Sequence, residues 1–410
     1  MRKILRHMLL ILALAVGVIV IAFAPFILLT PRAPPPPEGL ETVAELEVYF
    51  GVLTANETPP ALDIVVSKRG SLVYSKAFGR SDGPAKRLAA SGDVYHYWSI
   101  TKLFTATAVM QLADDGKLAL DDPVRRYLPG FTAVAPSGEA VDITIRQLLG
   151  HTSGMRDLRP LDLAGWIRHH GDPPVDQVEL VRARMQSYGK LAAPPGTASA
   201  YSNAGYIVLG AIVEVAAGQP YEEVVRSRIL RPLGMASTDF VYRGDLLPRA
   251  AAGSHPLFHY FTPLLLAIHG DWFSNWVKKT ENFRMWLSPL HTDYTGPTGL
   301  IGSGEDLARF GQVFAGGGAA GNPILKPATV AYMLNEGYGG NTGPDGDRMG
   351  IGWHWWEQAP VPFKGHGGSG PGFGAQLAIF PDQEMVVVVL ANDTLIDRVA
   401  LTNLIAGVFR

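Results

Sequence analysis

The chain has 410 residues, 47% of them apolar and 18% charged, with a formal charge of −2. That is ample for a large core, and it lacks the basic excess of a general nucleic-acid binder. The charge leaves a small or uncharged substrate open, and the absence of cysteine excludes disulfides, a cysteine nucleophile and thiolate metal sites.

From Met8 to Leu29 the sequence is apolar and uncharged for 22 residues, long enough to cross a bilayer as a helix. Arg2, Lys3 and Arg6 precede it, an arrangement that keeps the N-terminus cytoplasmic and sends the rest of the chain across. A cleaved signal peptide is the rival reading, and Ala22-Phe23-Ala24 has the small residues of a cleavage site. Its apolar region is normally only ~7–15 residues, and here Pro25 and more apolar residues follow, so an uncleaved anchor over residues 1–30 is favoured. Pro34 to Pro37 make a stiff linker over 31–40. One folded unit is expected over 41–410.

Glu41 to Leu53 reads as a helix with Val43, Leu46 and Phe50 on one face. Asp63 to Val66 and Leu72 to Phe78 read as strands joined by a turn at Arg69-Gly70. Ser99-Ile100-Thr101-Lys102 follows, ahead of the apolar run Leu103 to Leu112 and the stop Asp114-Asp115-Gly116. On a helix this spacing puts hydroxyl and amine on one face, where a desolvated lysine can take the serine proton. The pattern alone is weak. A serine at a helix start is more often a cap, and Ser187-Tyr188-Gly189-Lys190 repeats the pattern with no apolar helix behind it.

Further along come Leu148-Leu149-Gly150-His151-Thr152-Ser153-Gly154, then Tyr201-Ser202-Asn203 before an apolar helix from Tyr206 to Val215. His151 reads as a buttress of the fold. His169-His170 lacks the spacing of a metal motif, so no metal and no cofactor are expected. Phe258 to Leu290 mixes aromatic residues with Lys278, Lys279 and Arg284. Two readings stand for it, a cap over the site and a second membrane contact, and the cap is favoured. His366-Gly367-Gly368-Ser369 leads into the strand runs Ala375 to Phe380 and Met385 to Leu390, and Leu395 to Val408 closes as a helix. Strands at both ends with helices between them predict an α+β fold: an antiparallel sheet of N- and C-terminal strands flanked by helices, plus a mainly helical lobe.

Taken in order, Ser99-x-x-Lys102, the Leu148–Gly154 loop, Tyr201-x-Asn203 and His366-Gly367-Gly368 resemble the serine β-lactamase-like family. That family comprises class C β-lactamases, D-alanyl-D-alanine carboxypeptidases and related esterases. Arg231-Pro232-Leu233-Gly234-Met235 and Gly302 to Phe310 extend the likeness. The resemblance implies an acyl-enzyme on Ser99, with Lys102 and Tyr201 sharing the proton transfers and the choice of base between them open. It implies Asn203 as a ligand of Lys102 and of the substrate, and an oxyanion site at the Ser99 and Ser369 amides. His366, Gly367, Gly368 and Ser369 would line the substrate strand. One departure matters. The family's β-lactam-active members carry Lys-Thr-Gly or Lys-Ser-Gly on this strand, and here a histidine replaces the fixed cation. The resemblance therefore implies an esterase- or peptidase-like serine hydrolase acting on small-molecule, ester or peptide substrates outside the cytoplasm. A D-Ala carboxypeptidase or β-lactamase is the alternative, and a non-catalytic binding protein on the same scaffold is the rival of another class.

Overall fold

The strands nearest the chain ends are almost continuous apolar runs, and the reason is that both faces of their sheet are covered. In the computed structural model, which describes residues 28–410 except 38, 160–161, 163–166, 173–174, 260–261, 263–275, 317–322 and 339–342, the main sheet has nine antiparallel strands. Numbered in chain order they are β1 (Ala61–Lys68), β2 (Ser71–Asp82), β3 (Arg87–Leu88), β4 (Gly337–Tyr338), β5 (Arg348–Gly350), β6 (His354–Trp356), β7 (Phe363–Gly370), β8 (Phe373–Phe380) and β9 (Met385–Ala391). Their spatial order is β4-β5-β6-β7-β8-β9-β1-β2-β3. The two chain ends thus meet at the centre, where β1 pairs β9 with Ile64 opposite Val389.

Side chains alternate across a strand, and the burial follows. Leu62, Ile64, Val66, Val387 and Val389 pack with α1 (Val43–Ala55) and α5 (Arg398–Phe409), through Leu46, Phe50, Leu401 and Ile405. Val65, Val386, Val388 and Leu390 face the opposite side, the larger core. That core includes α2 (Thr101–Asp114), α3 (Asn203–Ala217) and α4 (Gly304–Ala315). Phe104 of α2 stacks on Phe310 of α4 at 3.9 Å between ring centroids, so the helix that follows Ser99 is fixed to the sheet side.

The expected α+β architecture is what the chain adopts, with shifts at element ends. The first helix begins after Thr42 rather than at Glu41, because Thr42 and Glu45 close a reciprocal capping box there. The β1–β2 hairpin turns at Arg69 and Gly70, both with positive φ (51° and 76°), the conformation of a two-residue hairpin turn. The last helix starts at Arg398, not Leu395, because Asp397 caps the Ala400 amide at 3.0 Å; Leu395 stays outside it, 38% exposed.

The proposed anchor, residues 8–29, lies outside the described residues except for Leu28 and Leu29, which are exposed. Among the described residues no helix is long and apolar enough to cross a membrane. The proline linker lies against the domain, where the Tyr49 hydroxyl donates to the Pro34 carbonyl at 3.0 Å.

Candidate active site

The site is assembled where α2 begins. Trp98 has a positive φ of 47°, a left-handed conformation that costs a non-glycine residue roughly 1–2 kcal/mol. Packing holds it there: its indole is 3% exposed and stacks on His96 at 4.7 Å. The chain then makes a single 3₁₀ turn, Trp98–Ile100, and enters α2 at Thr101. Ser99 makes no cap hydrogen bond at this helix start, where the N-cap is Ile100, so its hydroxyl is left for other partners. The second Ser-x-x-Lys is different: Ser187 and Lys190 are both exposed.

Lys102 lies one turn beyond Ser99 and is fully buried. Its Nζ is 3.1 Å from Ser99 Oγ, 2.6 Å from Asn203 Oδ1 and 3.3 Å from the Pro297 carbonyl. It also lies over the Tyr201 ring, 4.8 Å from the centroid, and 5.6 Å from that of Tyr206. Burial without a contacting carboxylate penalises the charged amine, pushing its pKa from 10.5 down to about 7, with Asp157 opposing the shift.

Tyr201 and Asn203 arrive on the start of α3. Ser202 caps that helix through the Gly205 amide (3.1 Å), and its own N–H donates to His151 Nδ1 (3.1 Å). His151 also stacks on the Tyr201 ring at 4.8 Å, which fits its reading as a buttress. The Tyr201 hydroxyl is hydrogen-bonded to Ser99, yet burial holds its pKa well above 10. The phenol is therefore uncharged near neutral pH.

Strand β7 closes the other side. A Cβ on Gly368 would fall 2.0 Å from the Tyr97 carbonyl oxygen, and one on Gly370 2.5 Å from the Trp98 indole. Only glycine lets the strand come this close to the Tyr97–Trp98 turn. Ser369, between them, is exposed. His366 is 2% exposed. Its Nδ1 is 2.6 Å from the Gly367 carbonyl, which can only accept, so Nδ1 carries the proton. Burial and the neighbouring His354 and Lys102 push its pKa well below 6.5, so the ring is neutral at pH 7. The guanidinium packed against Gly367 belongs to Arg398, which is already paired with Asp345 at 2.5 Å.

The structure thus brings Ser99, Lys102, Tyr201 and Asn203 together and sets His366 to Ser369 beside them. Three further residues carry no signal in the spacing of the sequence. Asp157 accepts from the Asn203 backbone N–H (2.8 Å) and from Asn203 Nδ2 (3.1 Å). Asp347 holds His354 Nδ1 at 2.5 Å, and the His354 ring lies 4.3 Å from that of His366. Asp157 and Asn203 lie on different elements, a loop and the start of α3, and His354 and His366 meet only because β6 pairs with β7.

The Phe258–Leu290 region is described in part, as a three-stranded sheet of Ser254–Pro256, Arg284–Leu287 and Val277–Glu281. Its basic residues are used internally: Lys278 pairs with Asp82, Lys279 with Glu281, and buried Arg284 with Asp393. Trp276 and Trp286 are buried, and Phe283 is exposed. His169 stacks on Trp276 at 4.1 Å. Among the described residues no group of three or more His, Cys, Asp or Glu is arranged to hold a metal ion.

Comparison with known proteins adds to this geometry. A family profile described as Beta-lactamase matches residues 54–406. Penicillin-binding protein 4 of Amycolatopsis lactamdurans is 29% identical over 356 residues, which is 85% of this chain and 85% of that protein. Esterase EstB of Burkholderia gladioli is 33% identical over 216 residues, 50% of this chain and 53% of that one. Among solved structures, EstCE1, described as a hydrolase with promiscuous acyltransferase activity, matches with a TM-score of 0.68 at 23% identity. The match covers 90% of this chain and 98% of that chain, and is a likeness of fold.

Proposed function

The chain belongs to the β-lactamase family and is a serine hydrolase of ester or amide bonds; we propose that Ser99 is its nucleophile and neutral Lys102 its general base. The observation that carries this reading is the burial of Lys102 Nζ 3.1 Å from Ser99 Oγ with no carboxylate in contact. Asn203 Oδ1 and the Pro297 carbonyl can only accept. A neutral amine has two hydrogens for these two acceptors, and its lone pair is left for the Ser99 hydroxyl. An amine with a pKa of about 7 holds that neutral form in quantity at physiological pH.

In the proposed cycle Ser99 Oγ attacks the acyl carbonyl as its proton passes to Lys102 Nζ. The backbone amides of Ser99 and Ser369 stabilise the oxyanion. Tyr201, protonated at rest, gives its proton to the leaving oxygen or nitrogen and recovers one from the Lys102 ammonium. Water then attacks the acyl-enzyme along the same path in reverse, returning Ser99. The high pKa of Tyr201 argues against a resting phenolate, so the base role falls to Lys102.

The substrate is proposed to be an ester or amide with no required carboxylate beside the scissile bond. Neutral His366 stands where a lysine would supply a fixed charge, and Arg398 is already neutralised by Asp345. Residues 8–29, apolar and preceded by three basic residues, are proposed to hold the enzyme on the outer face of a membrane. Carbonate-washed membranes carrying the full chain test both points. They should hydrolyse p-nitrophenyl acyl esters or aminoacyl amides at least about tenfold faster than nitrocefin, a margin of ~1.4 kcal/mol. Nitrocefin as the preferred substrate would overturn the carboxylate argument, and activity released by the wash would remove the anchor.

A further inference from the structure

The carboxylate of Asp157 touches neither Ser99 nor Lys102, yet it constrains both through Asn203. Its two oxygens accept from the Asn203 backbone N–H and from Asn203 Nδ2, at 2.8 and 3.1 Å. Oδ1 also accepts from the Leu158 amide at 2.7 Å, which ties the carboxylate to its own backbone. A carboxylate offers no proton, so the Asn203 NH₂ must face Asp157 and the Asn203 oxygen must face Lys102. The 2.6 Å contact from Lys102 Nζ to Asn203 Oδ1 is the result.

We propose that Asp157 is a positioning residue for the acylation step: by fixing which end of the Asn203 amide meets Lys102, it directs the lysine lone pair at Ser99. The proposal rests on the reading of Lys102 as base. Were the amide turned over, its NH₂ would face Nζ, and the amine would have to spend its lone pair on Asn203 instead of on the Ser99 hydroxyl. Asp157 has a second effect through its charge, favouring the ammonium form against burial. The other groups around Nζ are uncharged: the Tyr201 and Tyr206 rings, and His151 and His366, both pushed well below 6.5. A negative charge at Asp157 therefore has no competing carboxylate in contact with the amine.

The test is the second-order rate of Ser99 phosphonylation by a fluorophosphonate, measured against pH in the full chain. Three variants, Asp157→Asn, Asp157→Ala and Asp157→Glu, are compared with the wild type. Asparagine can donate to Asn203 Oδ1 and turn the amide over, so Asp157→Asn should be the slowest, by about 10–100-fold at the plateau. Asp157→Ala, which frees the amide without reversing it, should lose less, and Asp157→Glu should recover part of the rate. Loss of the charge should also move the acidic limb about 0.5–1 pH unit lower in the Asn and Ala variants and leave it in place in the Glu variant.

Acting through Asn203 makes a further demand. In an Asn203→Ala background, Asp157→Asn should change the plateau rate by less than about twofold, because coupled residues do not add. A residue that merely caps α3 would lower stability in either background and leave the limb unmoved. Wild-type rate and midpoint in Asp157→Asn, or a full additional loss in the Asn203→Ala background, would overturn the proposal. A wild-type profile with no limb near pH 7 would contradict the base role of Lys102. The order of the Asn and Ala variants would then still decide whether Asp157 sets the amide.

Discussion

Replacing Ser99 by alanine should lower kcat/KM by on the order of 10⁴-fold or more, with the fold intact. The estimate follows from the absence of a substitute. Ser187 and Lys190, the other copy of the pattern, are exposed on the surface. Ser369 is exposed on β7, and no hydrogen bond links it to Lys102 Nζ, whose partners are Ser99, Asn203 and Pro297. Ser99 itself contributes no helix cap, so loss of its hydroxyl removes only its hydrogen bonds to Lys102 and Tyr201. Melting of Ser99→Ala within a degree or two of the wild type, together with the lost turnover, is the expected pair of results. Turnover within tenfold of the wild type would remove Ser99 from the mechanism.

The second large effect is at Lys102. Lys102→Met keeps the length and apolar volume of the stem and removes the base, and kcat/KM should fall about 10²–10⁴-fold. In the wild type the amine must be neutral to accept the serine proton. With its pKa at about 7, kcat/KM should fall tenfold per unit as pH drops below 7 and level off above it; Lys102→Met should lose that limb. Stability carries a second signature with a definite sign. The lysine pKa is 10.5 when free and about 7 in the fold, so the unfolded chain takes up the proton first as pH is lowered. Stability of the wild type is therefore lost between pH 10.5 and 7 and changes no further on this account below 7. Lys102→Met has no such term. Its melting temperature should gain on that of the wild type as pH falls from 10 to 7. An unchanged gap across that window would mean the amine is not desolvated.

The residues proposed for acylation were legible from residue order because they sit at helix starts, which local patterns mark well. Ser99 and Lys102 precede one apolar run, and Tyr201 and Asn203 precede another. Gly367 and Gly368 were placed on the substrate strand by resemblance, and only the packing explains the glycines of β7: the Tyr97 carbonyl and Trp98 indole leave no room for a Cβ at 368 or 370. The terminal strands were found from their apolar runs, and their ends moved by at most four residues, with Phe380 and Met385 in place.

What escaped the sequence is what depends on contacts between distant segments. Asp157 is an exposed residue in a loop, and nothing in its neighbours announces a hydrogen bond to Asn203. The Asp347–His354 pair joins a loop to β6, and its approach to His366 depends on sheet order. The protonation of His366 was also out of reach. A surface histidine would be partly charged at pH 7, whereas burial makes this one neutral, which strengthens the argument against a bound carboxylate. In the Phe258–Leu290 region, Lys278 and Arg284 look like free surface charges in the sequence. The fold commits both to carboxylates, Asp82 and Asp393.

The central claim is a covalent acyl-type adduct on Ser99 whose formation needs neutral Lys102. The most direct measurement is mass spectrometry of the protein digested after brief exposure to a fluorophosphonate at pH 6 and pH 8. The account predicts one adduct, on the peptide containing Ser99, formed roughly tenfold more slowly at pH 6 than at pH 8 in the wild type and at a low, pH-independent rate in Lys102→Met. An adduct on Ser187, Ser369 or another residue, or labelling of Ser99 that Lys102→Met leaves unchanged, would contradict it.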